Sequence, residues 1–271
     1  MTSRPDEREV LRCGELTVLG RIRSASNATF LCESTLGERR VHCVYKPIAG
    51  EQPLWDFPDG TLAGRELGAY LVSTQLGWNI VPYTIIRDGP AGTGMLQLWV
   101  DQPGDAADTD PGPGPDLVDV FPAGKVPPGY LPVLRAYDYA GEEVMLSHAD
   151  DIRLRRMAVF DVLINNADRK GGHILQGVDG HIYGVDHGVC LHVEDKLRTV
   201  LWGWAGKPVD AQTLEAVAGL ADALGGPLGD ALAEQITGRE IAALRRRAHA
   251  LLDHPVMPGP NRHRPIPWPA F

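Results

Sequence analysis

The sequence predicts an α+β chain, with an antiparallel sheet and a helix in its first hundred residues and a mainly helical second half. Three observations predict it. Between Leu16 and Lys46, apolar residues alternate with others in short runs separated by small polar turns, as in half-buried strands. Leu62 to Leu76 reads as an amphipathic helix, and Met157 to Ile164, with Ile152 and Leu154 upstream, as a buried one. Between these helices, residues 101–129 turn to Pro, Gly and Asp with few apolar side chains. That break divides the chain into 1–100, a linker or insertion at 101–129, and 130–271. A length of 271 residues suits one large domain or two lobes.

Composition excludes several classes. A formal net charge of −9 argues against nucleic acid as the main partner, because phosphate backbones select clustered Lys and Arg. It also weakens attraction to anionic membranes, leaving at most peripheral contact. Cys13, Cys32, Cys43 and Cys190 are scattered without a C-x-x-C pair, so buried free thiols in a reducing cytoplasm are expected. The N-terminus has no apolar signal core, and no run is long enough to span a bilayer. Abundant Ala, Gly, Pro and Arg with little Lys hints at a GC-rich bacterial genome.

Taken in order, residues 1–14 read as a loose lead-in. Strands follow at Leu16 to Ile22, Thr29 to Glu33 and Val41 to Lys46. The first corner carries Ser24, Ser26 and Asn27. Small residues there let backbone N–H groups approach anion oxygens; the alternative is an ordinary hairpin turn. Lys46 ends the third strand before Pro47, either as a solvated lysine or as a cation that needs a carboxylate to hold it. Glu66, on the next helix, is that carboxylate or merely a capping or solvated one. Gly77 suits the helix end and Val81-Pro82 starts the following strand. Thr84 to Arg87 and Met95 to Val100 are two more strands around a turn. The Asp residues of 101–129 fit no calcium-loop spacing.

In the second half, residues 130–149 regain aromatic and apolar content, and Ser147 and Asp150 suit the start of the buried helix. Asn165-Asn166 ends it. A polar loop, Asp168-Arg169-Lys170-Gly171-Gly172-His173, precedes a hairpin turned at Val178-Asp179-Gly180, whose second strand delivers Asp186-His187-Gly188. A carboxylate after a helix and another at a hairpin end suit phosphoryl transfer: one orients the acceptor hydroxyl, the other holds a metal on nucleotide phosphates. Taken singly, Asp-Arg is equally a surface ion pair and Asp-His-Gly a turn. Trp202-Gly203-Trp204 is either core or acceptor site. Helices are expected at Asp210 to Leu224 and Gly238 to Leu252, the second with a solvated basic face (Arg239, Arg245, Arg246, Arg247), before an irregular tail anchored by Trp268 and Phe271.

The strings Asp161-x4-Asn166-x-Asp168-Arg169-x3-His173, Asp186-His187-Gly188, Val44-Tyr45-Lys46-Pro47 and Arg65-Glu66-x-Gly68-Ala69-Tyr70-Leu71 together resemble the phosphatidylinositol 3-/4-kinase superfamily. They are most similar to type II phosphatidylinositol 4-kinases and their bacterial relatives. The resemblance implies a bilobal protein-kinase-like fold using ATP with Mg2+ or Mn2+. It assigns Ser24, Ser26 and Asn27 to the phosphate turn and Lys46, paired with Glu66, to the α- and β-phosphates. It sets Trp99-Val100-Asp101 as the adenine hinge, Asp168 as catalytic aspartate and Asp186 as main metal ligand. Arg169 either fixes the loop or touches phosphate. His173 stands where the family usually has asparagine, and imidazole is a poorer match for Mg2+ than oxygen.

The implied activity is an ATP-dependent kinase transferring phosphate to a hydroxyl of a protein or small molecule. A phosphoinositide kinase is the enzyme alternative, although the chain lacks the cysteine-rich palmitoylation segment of those enzymes and a basic amphipathic membrane helix. His173 and the acidic insertion motivate a nucleotide-binding pseudokinase acting as an interaction module, and nucleotidyl transfer is a further alternative.

Overall fold

The computed structural model describes residues 6–22, 27–104, 116–261 and 263–271. It opens with a helix, α1 (Glu7–Cys13), capped by Asp6, whose carboxylate accepts from Arg8 N. This corrects the expectation of a loose lead-in. Only Val10 and Leu11 are apolar enough to bury among charged neighbours, too short a signal to read as a period.

Strands β1 (Glu15–Arg21), β2 (Phe30–Leu36) and β3 (Arg39–Pro47) form the expected meander. Helix α2 (Leu62–Gln75) follows, then β4 (Thr84–Gly89) and β5 (Gly92–Leu98). The five strands make one antiparallel sheet in the order β1-β2-β3-β5-β4, with Lys46 opposite Met95. Cys32, Cys43, Tyr45 and Leu96 bury one face with Leu11 of α1. Thr61 caps α2 through Gly64 N, and the Glu51 carboxylate takes the exposed Leu62 and Ala63 N–H groups. Gly77 ends the helix with φ +69°, where a side chain would be strained.

The segment 101–129 departs from expectation. Residues 105–115 lie outside the described residues, but Val118–Pro122 is a strand, β6. With β7 (Tyr130–Tyr137) and β8 (Glu143–Ala149) it forms an antiparallel sheet in the order β6-β8-β7. Val118 and Val120 alternate as a strand requires, but the surrounding Pro, Gly and Asp hide that short run in any composition window.

Helix α3 (Ile152–Ile164) is capped by Asp151, one residue beyond the expected Asp150, and stops at Asn165 in the left-handed conformation, φ 53°. Ser147 is buried within β8. The hairpin β9 (Ile174–Gln176) and β10 (Ile182–Gly184) pairs as predicted. Helices α4 (Ala211–Ala223), α5 (Pro227–Ala233) and α6 (Gly238–Asp253) complete the chain, the last with a full capping box between Thr237 and Glu240. Arg247 corrects the solvated basic face: it turns inward, its Nε donating to Leu163 O at 2.7 Å.

This is the bilobal protein-kinase-like α+β fold that the sequence predicts. One feature shapes the site. Ala69 and Val72 of α2 belong to the large core with Leu154, Phe160 and Leu163 of α3, so the first lobe's helix is packed into the second lobe. Among the described residues no helix is long and apolar enough to cross a membrane.

Candidate active site

A cleft of about 650 Å³ lies between the five-stranded sheet and the second lobe. Asn27, Lys46, Glu66, Trp99, Val100, Asp168, His173 and Asp186, the expected site residues that reach it, come from six separate stretches of the chain. Ser24 and Ser26 lie outside the described residues. Asn27 accepts Gln52 N through its Oδ1 at 2.9 Å, so its side chain braces the corner of the sheet.

Lys46 is the electrostatic centre. As the last outward residue of β3 it extends under the sheet, where its Nζ donates to Glu66 Oε1 at 2.6 Å and Asp186 Oδ1 at 2.7 Å. Burial alone would discharge the amine, but the two carboxylates hold it protonated well above an ordinary lysine. In return the Lys46 ammonium, against the cost of burial, keeps the Asp186 carboxyl well below the usual carboxylate range. Glu66 Oε2 accepts His187 N at 2.9 Å, so one glutamate bridges the lysine strand and the Asp-His-Gly segment. Asp186 has φ 60°, a strained conformation for a residue other than glycine.

On the facing loop, Asp168 is partly exposed, its backbone N–H held by Asn166 Oδ1 at 3.0 Å and a carboxylate oxygen 3.4 Å from Lys170 Nζ. Burial raises its pKa above the ordinary carboxylate value, with Lys170 opposing and Asp186 adding to the rise. His173 Nδ1 lies 2.9 Å from the Asp168 carbonyl oxygen, an acceptor, so the proton sits on Nδ1. Its Nε2 then faces Asp186 Oδ2 at 3.5 Å. Burial lowers the His173 pKa to about 4, which leaves the ring neutral.

Arg169 does not join this group. Its side chain is fully buried, chelated by Asp161 at 2.9–3.1 Å, and donates to the carbonyls of His173 and Val185. It also donates to His187 Nε2 at 2.6 Å. Of the two roles expected of Arg169, its contacts fit the fixing of the loop and not contact with phosphate: the guanidinium ties the Asp168 loop to the Asp186 hairpin and is turned away from the cleft. Asp161 also accepts from Asn166 and Thr199, which makes it the hub of the loop. The motif named Asp161, but nothing local revealed its bond to Thr199, thirty-eight residues away.

Phe271, expected as an anchor of the tail, also lines the cleft. Gly171 N donates to Ala270 O, and the Phe271 ring packs on Gly171, while Trp268 is 86% exposed and anchors nothing. Trp202 and Trp204 are buried and donate to Pro265 O and Asp150 Oδ1, so the tryptophan pair is core.

Asp186 Oδ2 and His173 Nε2 fit a divalent cation as two of its ligands. Among the described residues no group of three or more His, Cys, Asp and Glu side chains converges to hold a metal, so the remaining ligands of such a cation must come from substrate or water.

Fold and cleft together define a kinase-like scaffold. The chain is 82% identical to Protein Rv2133c of Mycobacterium tuberculosis (strain ATCC 25618 / H37Rv) over 271 residues, covering 100% of this chain and 98% of that protein. It therefore belongs to the family of Protein Rv2133c. No family model matches it. Among solved structures, a Golgi casein kinase aligns with 93% of this chain and 75% of its own, at TM-score 0.45 and 12% identity, a likeness too loose to bear on chemistry.

Proposed function

We propose that this protein is an ATP-dependent phosphotransferase of the phosphatidylinositol 3-/4-kinase type, moving the γ-phosphate of ATP to a hydroxyl of a protein or small molecule. The observation that carries the reading is Lys46, held between Glu66 and Asp186 at 2.6 and 2.7 Å in a cleft shared with Asp168. A lysine fixed by a helix carboxylate is the device that positions α- and β-phosphates in kinase folds.

Each side chain has a role its surroundings support. Trp99 and Val100 follow β5 at the cleft wall, where backbone groups can meet adenine. Asn27, at the cleft wall, meets the phosphates. Asp186 Oδ2 and His173 Nε2 would hold a divalent cation, which when bound would neutralise phosphate charge. Asp168 orients the acceptor hydroxyl. As the new O–P bond forms and the bond to the ADP leaving group breaks, its carboxylate takes the hydroxyl proton. Arg169 and Asp161 keep Asp168 and Asp186 in register without touching substrate.

The test is incubation with ATP labelled separately at the α- and γ-phosphates, with Mg2+ or Mn2+, against an Asp186→Ala control. Transfer of γ-label that the variant loses supports the kinase reading, and adding phosphoinositide vesicles as one acceptor arm separates lipid from protein or small-molecule acceptors. Transfer of α-label converts the reading to nucleotidylation. Nucleotide binding without turnover across the acceptors refutes the enzyme in favour of a binding module.

A further inference from the structure

We infer that the cation this cleft uses is a first-row transition ion, bound through His173 Nε2 as a nitrogen ligand, and not Mg2+. The inference rests on the phosphotransferase reading and concerns which cation accompanies the nucleotide.

The donor set argues for it. Asp186 offers two oxygens, but Oδ1 is taken by the Lys46 ammonium at 2.7 Å, which leaves Oδ2 as the single free anionic oxygen. His173 Nε2 stands 3.5 Å from that oxygen. Metal–ligand bonds of about 2.0–2.2 Å let one ion touch both atoms across that gap. Mg2+ demands near-octahedral oxygen ligation and gives up water reluctantly, whereas imidazole suits first-row transition ions such as Fe2+, Ni2+ and Zn2+. One carboxylate oxygen and one imidazole nitrogen, with phosphates completing the shell, match the second group.

The imidazole is also prepared for ligation. The Asp168 carbonyl can only accept a hydrogen bond, so the 2.9 Å contact puts the proton on Nδ1 and aims the Nε2 lone pair at Asp186. His173 ends a short 3-10 turn, Gly171–His173, and its carbonyl is pinned by Arg169 Nη1 at 3.2 Å and Val185 N at 3.0 Å. A ring whose second nitrogen is hydrogen-bonded and whose backbone is fixed has the outer-shell support that metal-bound histidines use. An asparagine here would present an oxygen and lose that support.

The experiment uses the full chain with Mn2+ and a non-hydrolysable ATP analogue, read by pulsed electron paramagnetic resonance. Wild-type protein should show nitrogen coupling to Mn2+ that changes to a 15N pattern when histidine alone is 15N-labelled. The His173→Asn variant should lose that coupling. It should also need at least about tenfold less Mg2+ to displace Mn2+, matching the smallest loss seen when even an outer-shell partner is removed. The labelling arm needs no variant, so it decides the matter even where His173→Asn fails to fold. Mn2+ and nucleotide bound with no histidine coupling, or coupling that survives in His173→Asn, overturns the inference and leaves the phosphotransferase reading standing. No binding of nucleotide with either cation overturns that reading as well.

Discussion

Glu240→Gln is expected to destabilise the protein by at least about 3 kcal/mol, through a pair that joins the two lobes. Arg65, on α2, and Glu240, on α6, are 1% and 2% exposed and lie 2.7 Å apart. Arg65 also donates to Asp59 O at 2.9 Å and Cys190 O at 2.8 Å, and its guanidinium lies 5.0 Å from the Phe57 ring centroid. Those neighbours are neutral, so Glu240 alone among them balances the charge. Glutamine keeps the shape and, with its amide oxygen on Thr237 N, the capping box, so its NH2 then faces the Arg65 guanidinium. What remains is a buried cation without its counter-ion, for which about 3–5 kcal/mol is typical, and the low end is taken as the minimum. Arg65→Met removes the cation instead, and the double variant should cost less than the sum of the singles by about 2–3 kcal/mol. Urea unfolding followed by the fluorescence of buried Trp202 and Trp204 measures all three. A loss below about 1 kcal/mol for Glu240→Gln, or additivity within about 0.5 kcal/mol, would refute the argument that this pair anchors α2.

Three further outcomes follow from the same geometry. Asp161→Asn should cost about 3–5 kcal/mol, because it strands the fully buried Arg169 charge and turns an amide donor toward the Arg169, Asn166 and Thr199 donors; unfolding in urea with little change in midpoint would contradict it. Lys46→Met should lower turnover about a hundredfold or more while leaving the circular dichroism spectrum intact, and undiminished turnover would remove Lys46 from the phosphate site. His148 is buried, its Nδ1 donating to Ala149 O while its Nε2 accepts Gly203 N at 3.0 Å, and burial lowers its pKa below 6.5. The unfolded chain then binds the proton more readily, so stability falls as pH drops from about 6.5 toward the lower folded value, and His148→Gln should flatten that dependence in a pH series of urea midpoints.

Much of the first lobe was legible because its signals are local. Val41, Cys43 and Tyr45 alternate with His42, Val44 and Lys46, and the meander that alternation requires delivers Lys46 to a strand end. The hairpin after Asp168 was legible for the same reason, from a three-residue turn between short apolar runs. Strand β6 was hidden because its five residues sit in a segment whose composition is that of a loop. Arg169 was ambiguous for a different reason. Whether an arginine beside a catalytic-loop aspartate faces substrate or core depends on Asp161, Thr199 and His187, and a linear string shows that they are present without showing which way the guanidinium turns.

The least legible feature is also the one with most bearing on function. The string Arg65-Glu66 places two opposite charges side by side on α2, and a sequence gives no reason to send them in different directions. In the fold Arg65 enters the second lobe toward Glu240 and the Cys190 carbonyl, while Glu66 meets Lys46 and His187 N. Gly68, one turn on, has no room for a side chain: a Cβ there would stand 2.8 Å from Leu191 Cδ1. The helix is thus fastened to α6 by an ion pair, and to the segment following Asp186 by a carbonyl and a close glycine contact. Withdrawing Glu66 from Lys46 by moving this helix would require uncovering Arg65 and parting Ala69 and Val72 from the core of the second lobe. Uncovering a charged pair and apolar core together costs several kcal/mol. The Lys46–Glu66 contact is therefore built into the folded state, and any control that works by moving α2 is disfavoured by that cost.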